Sequence, residues 1–252
     1  MKKRLVAIVV LIALCTLCAC GAKTPFELKK VDDGYICYGF KNDADATGYL
    51  HIPSEINGKP VYQIGGSAFE KSDITEVTID AGIKRINDYA FGCSPELESV
   101  ELPRSLKYIG MSAFISCTSL EQIHIPMNVT QLEMWAFNGC SSLETVVIEG
   151  EIETLDTEVF QGCESLKVIY LPDTVTNIYQ GALEDCDALE EIHFAGTTEE
   201  FLAIDFGRYW LTAQNVLVCC ADGNLLLEDS NSWSHTDLQP QYPADPLDAL
   251  AG

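Results

Sequence analysis

Apolar positions recur through the middle of this chain with a 23-residue period. Phe91, Phe114, Phe137 and Phe160 are each 23 residues apart; Leu183 takes the next slot and Phe69 lies 22 residues before Phe91. Ala68, Ala90, Ala113, Ala136 and Ala182 precede their anchors, and Val159 stands in once. Six residues after the anchors from Phe91 onward come Leu97, Leu120, Leu143, Leu166 and Leu189. In one copy Leu120, Ile123 and Ile125 end in two-residue alternation and stop at Pro126, the pattern of a short strand. A second apolar pair, three apart, follows in each copy (Val129 and Leu132 here) and turns the chain toward another side. The Ala-Phe-x-x-Cys stretch then predicts a helical turn. A fixed period of this size means a stack of like units, none of which buries its apolar set alone. The expected fold is a repeat solenoid, mainly β with short helical turns, of about six to seven 23-residue coils with caps at both ends.

The flanks read differently. Met1 to Arg4 is a basic start, and Leu5 to Leu14 is an apolar run too short to span a bilayer, which together make a signal segment. Residues 21–30 read as a tether. Tyr35 to Phe40 and Tyr49 to Pro53 read as two strands of an N-terminal hairpin. Beyond Phe194, Thr197 precedes Glu199 and Glu200 as a helix cap, Val216 to Cys220 reads as a strand, and Asp222-Gly223 as a hairpin turn. From Glu228 onward the composition is Ser, Asp and Pro rich, which predicts disorder. The expected organisation is therefore a signal peptide over 1–19, tether and cap strand over 20–47, repeats over 48–196, a C-terminal cap over 197–227 and a disordered tail over 228–252.

Charge narrows the partners. The chain carries 15 basic and 38 acidic residues; without Lys2, Lys3 and Arg4, 12 basic residues remain and the net charge is −26. That removes a nucleic-acid footprint and electrostatic attraction to anionic lipid. Among the 11 cysteines, Cys117, Cys140, Cys163 and Cys186 share the 23-residue period and Cys93 is one residue out of phase. Stacked at ~4.8 Å per coil, such thiols sit near the lower limit of disulfide spacing with parallel side chains. Cys93, Cys117, Cys140, Cys163 and Cys186 are expected as a ladder of free, buried thiols.

Leu17, Ala19 and Cys20 resemble the bacterial lipobox, which implies that Cys20 becomes the lipidated first residue of an exported, membrane-anchored chain. The repeat, with its Ala-Phe-x-x-Cys-x-x-Leu-x-x-Ile-x-Leu-Pro run, resembles the leucine-rich repeats of the BspA-like cell-surface family over about residues 48–222. The resemblance implies surface attachment and interaction with host or microbial proteins. Glu149 in place of Pro, Leu183 in place of Phe and the displaced Cys93 depart from the pattern.

No nucleophile elbow, zinc-protease helix, phosphate-binding loop or calcium loop occurs, so no catalytic residue, metal or cofactor is expected. His51, His124 and His193 fall in one outward column, but three coils at ~4.8 Å each separate them too widely for one metal ion. His124 lies one coil from Glu101, as a surface contact. His124, Val147, Val168, Tyr170 and His193 make an exposed apolar and aromatic patch among acids and are the candidate contact surface. The expected function is a monomeric, non-enzymatic, lipid-anchored module at the outer face of the membrane that binds a protein partner. An accessory envelope lipoprotein serving an assembly partner and, remotely, a carboxylate-based hydrolase are the alternatives.

Overall fold

The computed structural model describes residues 24–41, 47–229 and 232–250. The signal segment and Cys20 lie outside the described residues. No helix among the described residues is long and apolar enough to cross a membrane.

The chain winds as a mostly β solenoid. One side carries strands Thr47–Ile52, Asp73–Ile79, Ser99–Glu101, Gln122–Ile125, Thr145–Ile148, Val168–Leu171, Glu191–Phe194 and Val216–Cys220, one per coil. These eight exceed the six to seven coils expected because Thr47–Ile52 and Val216–Cys220 pair in parallel with their neighbours. From Gln122 onward they form one in-register parallel ladder, Ile123 against Val146, Val146 against Ile169, Ile169 against Ile192, and Ile192 against Val218. Alternation decides the faces. Ile123, Val146, Ile169 and Ile192 point inward and are buried, while their odd-numbered or even-numbered neighbours face out. A second side is built of two-residue strands such as Tyr108–Ile109 and Gln131–Leu132, where the second apolar pair of each repeat turns the coil.

The third side holds the anchors. Phe91, Phe114 and Phe137 are fully buried, with rings stacked 5.3 and 5.1 Å apart. The backbone explains the Ala before each Phe. Phe91 N–H donates to Ala113 O and Phe114 N–H to Ala136 O, where a small side chain fits between the closely spaced coils, and Phe137 N–H makes the same bond to Val159 O, so the larger Val is accommodated once.

This side is not helical, contrary to the sequence expectation. The residue two before each anchor is left-handed (Ser67, Tyr89, Ser112, Trp135, Glu158, Gly181), and so is the residue two after (Lys71, Cys93, Ser116, Gly139, Gly162, Asp185). Two left-handed residues per coil break any helix and aim the backbone N–H groups at the next coil. Gly139 has φ of 72°, and a Cβ there would meet nothing nearer than Ser116 Oγ at 3.4 Å. Gly139→Ala therefore isolates the backbone term, and urea unfolding should show a loss of about 1–2 kcal/mol.

The same geometry corrects the thiol ladder. Cys117, Cys140, Cys163 and Cys186 are free and buried, and each Sγ–H donates to the anchor carbonyl of the preceding coil: Phe91, Phe114, Phe137 and Phe160, at 3.2–3.4 Å. Cys93 is not among them. It occupies the left-handed position, half-buried, and Ser94 takes the slot, donating to Phe69 O at 3.1 Å. Burial pushes the Cys117 thiol up to about 12.

The ends also differ from expectation. Phe26–Val31 is a strand, not tether, and pairs antiparallel with Gly34–Phe40. That hairpin caps the stack, while Thr47–Ile52 joins Asp73–Ile79 on another side, so the expected pairing of Tyr35–Phe40 with Tyr49–Pro53 does not form. At the C-terminal end Thr197 caps the helix Thr198–Leu202 in a reciprocal box with Glu200. Val216–Cys220 and Gly223–Asp229 form the expected hairpin. The tail is structured where disorder was expected: Ser232–Thr236 adds a further antiparallel strand and Pro246–Ala249 a single helical turn. Trp233 supplies the reason, because its ring packs on Phe201 and Phe206 at 5.7 and 5.3 Å and completes the end of the core.

Candidate functional site

The outward face of the long strand ladder places the candidate residues together. Strand register sets His124 against Val147, Val147 against Tyr170, and Tyr170 against His193, one residue per coil. Val168 pairs with Glu191 in the adjacent column.

Four of the five patch residues are not exposed, and only His124 is half-buried. Val147 and Val168 are 0% accessible, Tyr170 4% and His193 9%. The C-terminal segment covers them, with Tyr242, Ala249 and Leu250 packed on Val147, Val168 and Tyr170. Sequence reasoning missed this because the tail's composition is polar overall, whereas only three of its side chains are needed to seal the patch. The aromatic and apolar residues at 242, 247, 249 and 250 were the available signal.

Polar contacts fix the segment. Tyr170 Oη donates to Pro243 O at 2.7 Å, Tyr242 Oη donates to Glu190 Oε2 at 3.0 Å, and Asn224 Nδ2 donates to Leu238 O at 2.8 Å. Glu191 is the centre. Its side chain is 1% accessible as a residue, and it accepts from the backbone N–H of Gln241 at Oε1 and of Tyr242 at Oε2, the latter at 3.3 Å. His193 Nε2 lies 2.8 Å from Glu191 Oε2, two residues along the same strand face, and the His193 ring sits 4.5 Å from that of Tyr170. Burial, then the Glu191 carboxylate, pushes the Tyr170 hydroxyl up to about 12.

The other histidines stay apart from this centre. His51 Nε2 bonds Asp80 Oδ1 at 2.8 Å. His124 does not meet Glu101; its Nε2 lies 3.0 Å from Glu149 Oε2 without hydrogen-bond alignment, and Glu101 instead accepts weakly from Thr78 at 3.4 Å. Glu149 stands where other copies carry Pro, which is what brings a carboxylate to His124.

One coil beyond His193, the ladder sets Cys219 directly opposite it. Glu191, His193 and Cys219 each offer a ligand atom, and the three atoms lie within 4.8 Å of one another. Measuring histidine against histidine could not find this group. The coil between the two strands is lengthened to 26 residues by the helix Thr198–Leu202, so the 23-residue column stops pointing at the right neighbour. Beside the group lies a cleft of about 680 Å³ whose walls include Tyr170, His193 and Cys219 from the ladder and Pro240, Ala244 and Pro246 from the tail.

The family model of the BspA type leucine rich repeat region matches in six copies over residues 50–94 and 84–206. Among solved structures, the chain is similar to a leucine-rich repeat protein of T. pallidum at 25% identity and a TM-score of 0.63, covering 73% of this chain and 83% of that one. It is also similar to a leucine rich cell surface protein of Faecalibacterium prausnitzii at 24% identity and a TM-score of 0.67, covering 85% of this chain and 60% of that one. The pneumococcal vaccine antigen PcpA shares the fold at 19% identity and a TM-score of 0.52, covering 72% and 47%. A search of curated proteins returned no match.

Proposed function

Because this chain belongs to the BspA-type leucine-rich repeat family, we propose that it is a lipid-anchored protein-binding module of the cell surface whose binding face is the strand ladder beneath its own C-terminal segment. The family is one of repeat scaffolds for protein interaction, and the F. prausnitzii relative of the same fold is a cell surface protein. Anchoring through Cys20 rests on the lipobox resemblance and the signal segment. Binding without catalysis rests on the scaffold and on a sequence free of the usual catalytic motifs.

A single observation carries the choice of face. On an acidic protein, an apolar patch of Val147, Val168 and Tyr170 is occupied by a short bent segment ending in one helical turn, which presents backbone N–H groups to a buried carboxylate. A partner of the same chemistry, a short segment with aromatic or aliphatic side chains and free backbone donors, competes for that seat. The tail then lowers the partner's apparent affinity by the fraction of time it is docked.

The test compares the full chain with a version ending at Gln239, by crosslinking on intact cells and identification of captured proteins. Truncation should raise capture of a specific partner, and Val147→Asp on the truncated chain should abolish it. Equal capture by both lengths, with Val147→Asp without effect, would place the binding surface elsewhere. Anchoring is checked separately: Cys20→Ala should release the protein from the membrane fraction.

A further inference from the structure

We propose that Glu191, His193 and Cys219 bind a divalent transition-metal ion, zinc by preference, in a site roofed by the C-terminal segment. The three come from two neighbouring coils held in register, so the scaffold and not a loop sets their spacing. Zinc binds carboxylate oxygen and imidazole nitrogen at about 2.0–2.2 Å and thiolate sulfur at about 2.3 Å, which puts tetrahedral ligand atoms roughly 3.3–3.7 Å apart. Glu191 Oε2 and His193 Nε2, at 2.8 Å, separate by less than about an ångström to admit the ion, and Cys219 Sγ closes from within 4.8 Å.

The donor set selects the metal. One oxygen, one nitrogen and one sulfur suit zinc and its borderline neighbours, whereas calcium and magnesium require more oxygens than Glu191 supplies. Outer contacts are already in place. The Gln241 N–H holds Glu191 Oε1, while Oε2, which also accepts from the Tyr242 N–H at 3.3 Å, faces His193 and offers its remaining lone pair to the metal position. Burial, then Glu191, keeps the Cys219 thiol protonated, up to about 12. Metal binding displaces that proton to solvent, and the thiolate carbon–sulfur framework is otherwise unchanged. Three protein ligands leave a fourth position, and the adjacent cleft of about 680 Å³, walled by His193 and Cys219 themselves, gives it access to water or a small anionic group.

This site does not rest on the partner-binding reading and is tested without it. The reduced protein is titrated with cobalt(II), the spectroscopic stand-in for zinc, and then with zinc(II). One cobalt per chain should bind with a thiolate-to-metal absorption band that stoichiometric zinc removes. Cys219→Ser should abolish the band. His193→Gln should weaken binding by more than the ~10–100-fold that loss of an outer-shell partner costs. Cys220→Ser, a neighbouring thiol outside the triad, should leave it intact. Circular dichroism melting confirms that each variant is folded. Absence of a thiolate band in the unaltered protein, a band that survives Cys219→Ser, or one that depends on Cys220 overturns the proposal.

Discussion

Replacing Phe114 with Ala lowers the unfolding free energy by about 3–5 kcal/mol. Phe114 is fully buried and its ring stacks between Phe91 at 5.3 Å and Phe137 at 5.1 Å. Truncation removes both stacks and leaves a cavity in mid-column, where the coils on either side are pinned by backbone hydrogen bonds from Phe114 N–H to Ala136 O and from Phe91 N–H to Ala113 O. Those bonds prevent the gap from closing, so the cost falls at the upper part of the range for large-to-small changes. In a solenoid each coil is stabilised by its neighbours, so a central defect reduces the cooperativity of the whole stack. Phe160→Leu is the informative contrast. Leu183 already fills the same slot one coil later and is fully buried, so that change should cost about 1 kcal/mol, the range of a near volume-conserving swap. Chemical denaturation of both variants distinguishes the two; equal, small losses would show that the aromatic column contributes little.

Glu191→Ala frees the C-terminal segment. The carboxylate accepts from Gln241 and Tyr242 N–H and pairs with His193. Each buried donor left without an acceptor costs about 1–3 kcal/mol while it stays dry. The His193 ring would lose its partner in a buried setting and the part-buried Gln241 and Tyr242 N–H groups theirs, while the burial of Tyr242, Ala249 and Leu250 on the other side of the balance is itself only partial. Detachment is therefore the lower-energy response, since it returns the donors to water. The expected result is fast exchange of the Gln241 and Tyr242 amides and of the other non-proline amides up to Leu250, with the melting temperature of the coils nearly unchanged. Persistent protection of those amides would mean that the apolar contacts alone hold the segment. Glu191→Gln keeps one of the two acceptor oxygens and turns an amide NH2 toward the other donors, so it should retain only part of the protection.

Much of this molecule was legible in the sequence because the period constrains it. A residue recurring every 23 positions has the same surroundings in every coil, so Phe114 could be placed in the core and His193 in an outward column without coordinates. The Ala before each anchor and the free thiols after it are statements about that shared surrounding. The period says nothing about an environment that is not repeated. Cys93 broke phase by a single residue, and only the backbone shows that it fills a left-handed position while Ser94 takes the buried slot. Cys219 escaped the histidine column because a helix inserted in one coil shifts the register by three residues.

The candidate surface shows the division most clearly. Sequence determined which side chains stand in a line: His124, Val147, Tyr170 and His193 follow from strand alternation and period alone. Whether that line meets water depends on a segment 73 residues further along, where Pro243 accepts from Tyr170. A local pattern records what a residue's neighbours in its own coil require. It holds no record of a non-repeated segment that returns from the end of the chain. The solenoid, its column of rings and its outward face were thus set by the sequence itself. The closed face, the buried carboxylate and the thiol beside it were decided only by the tertiary structure, because they depend on contacts whose sequence separation follows no period.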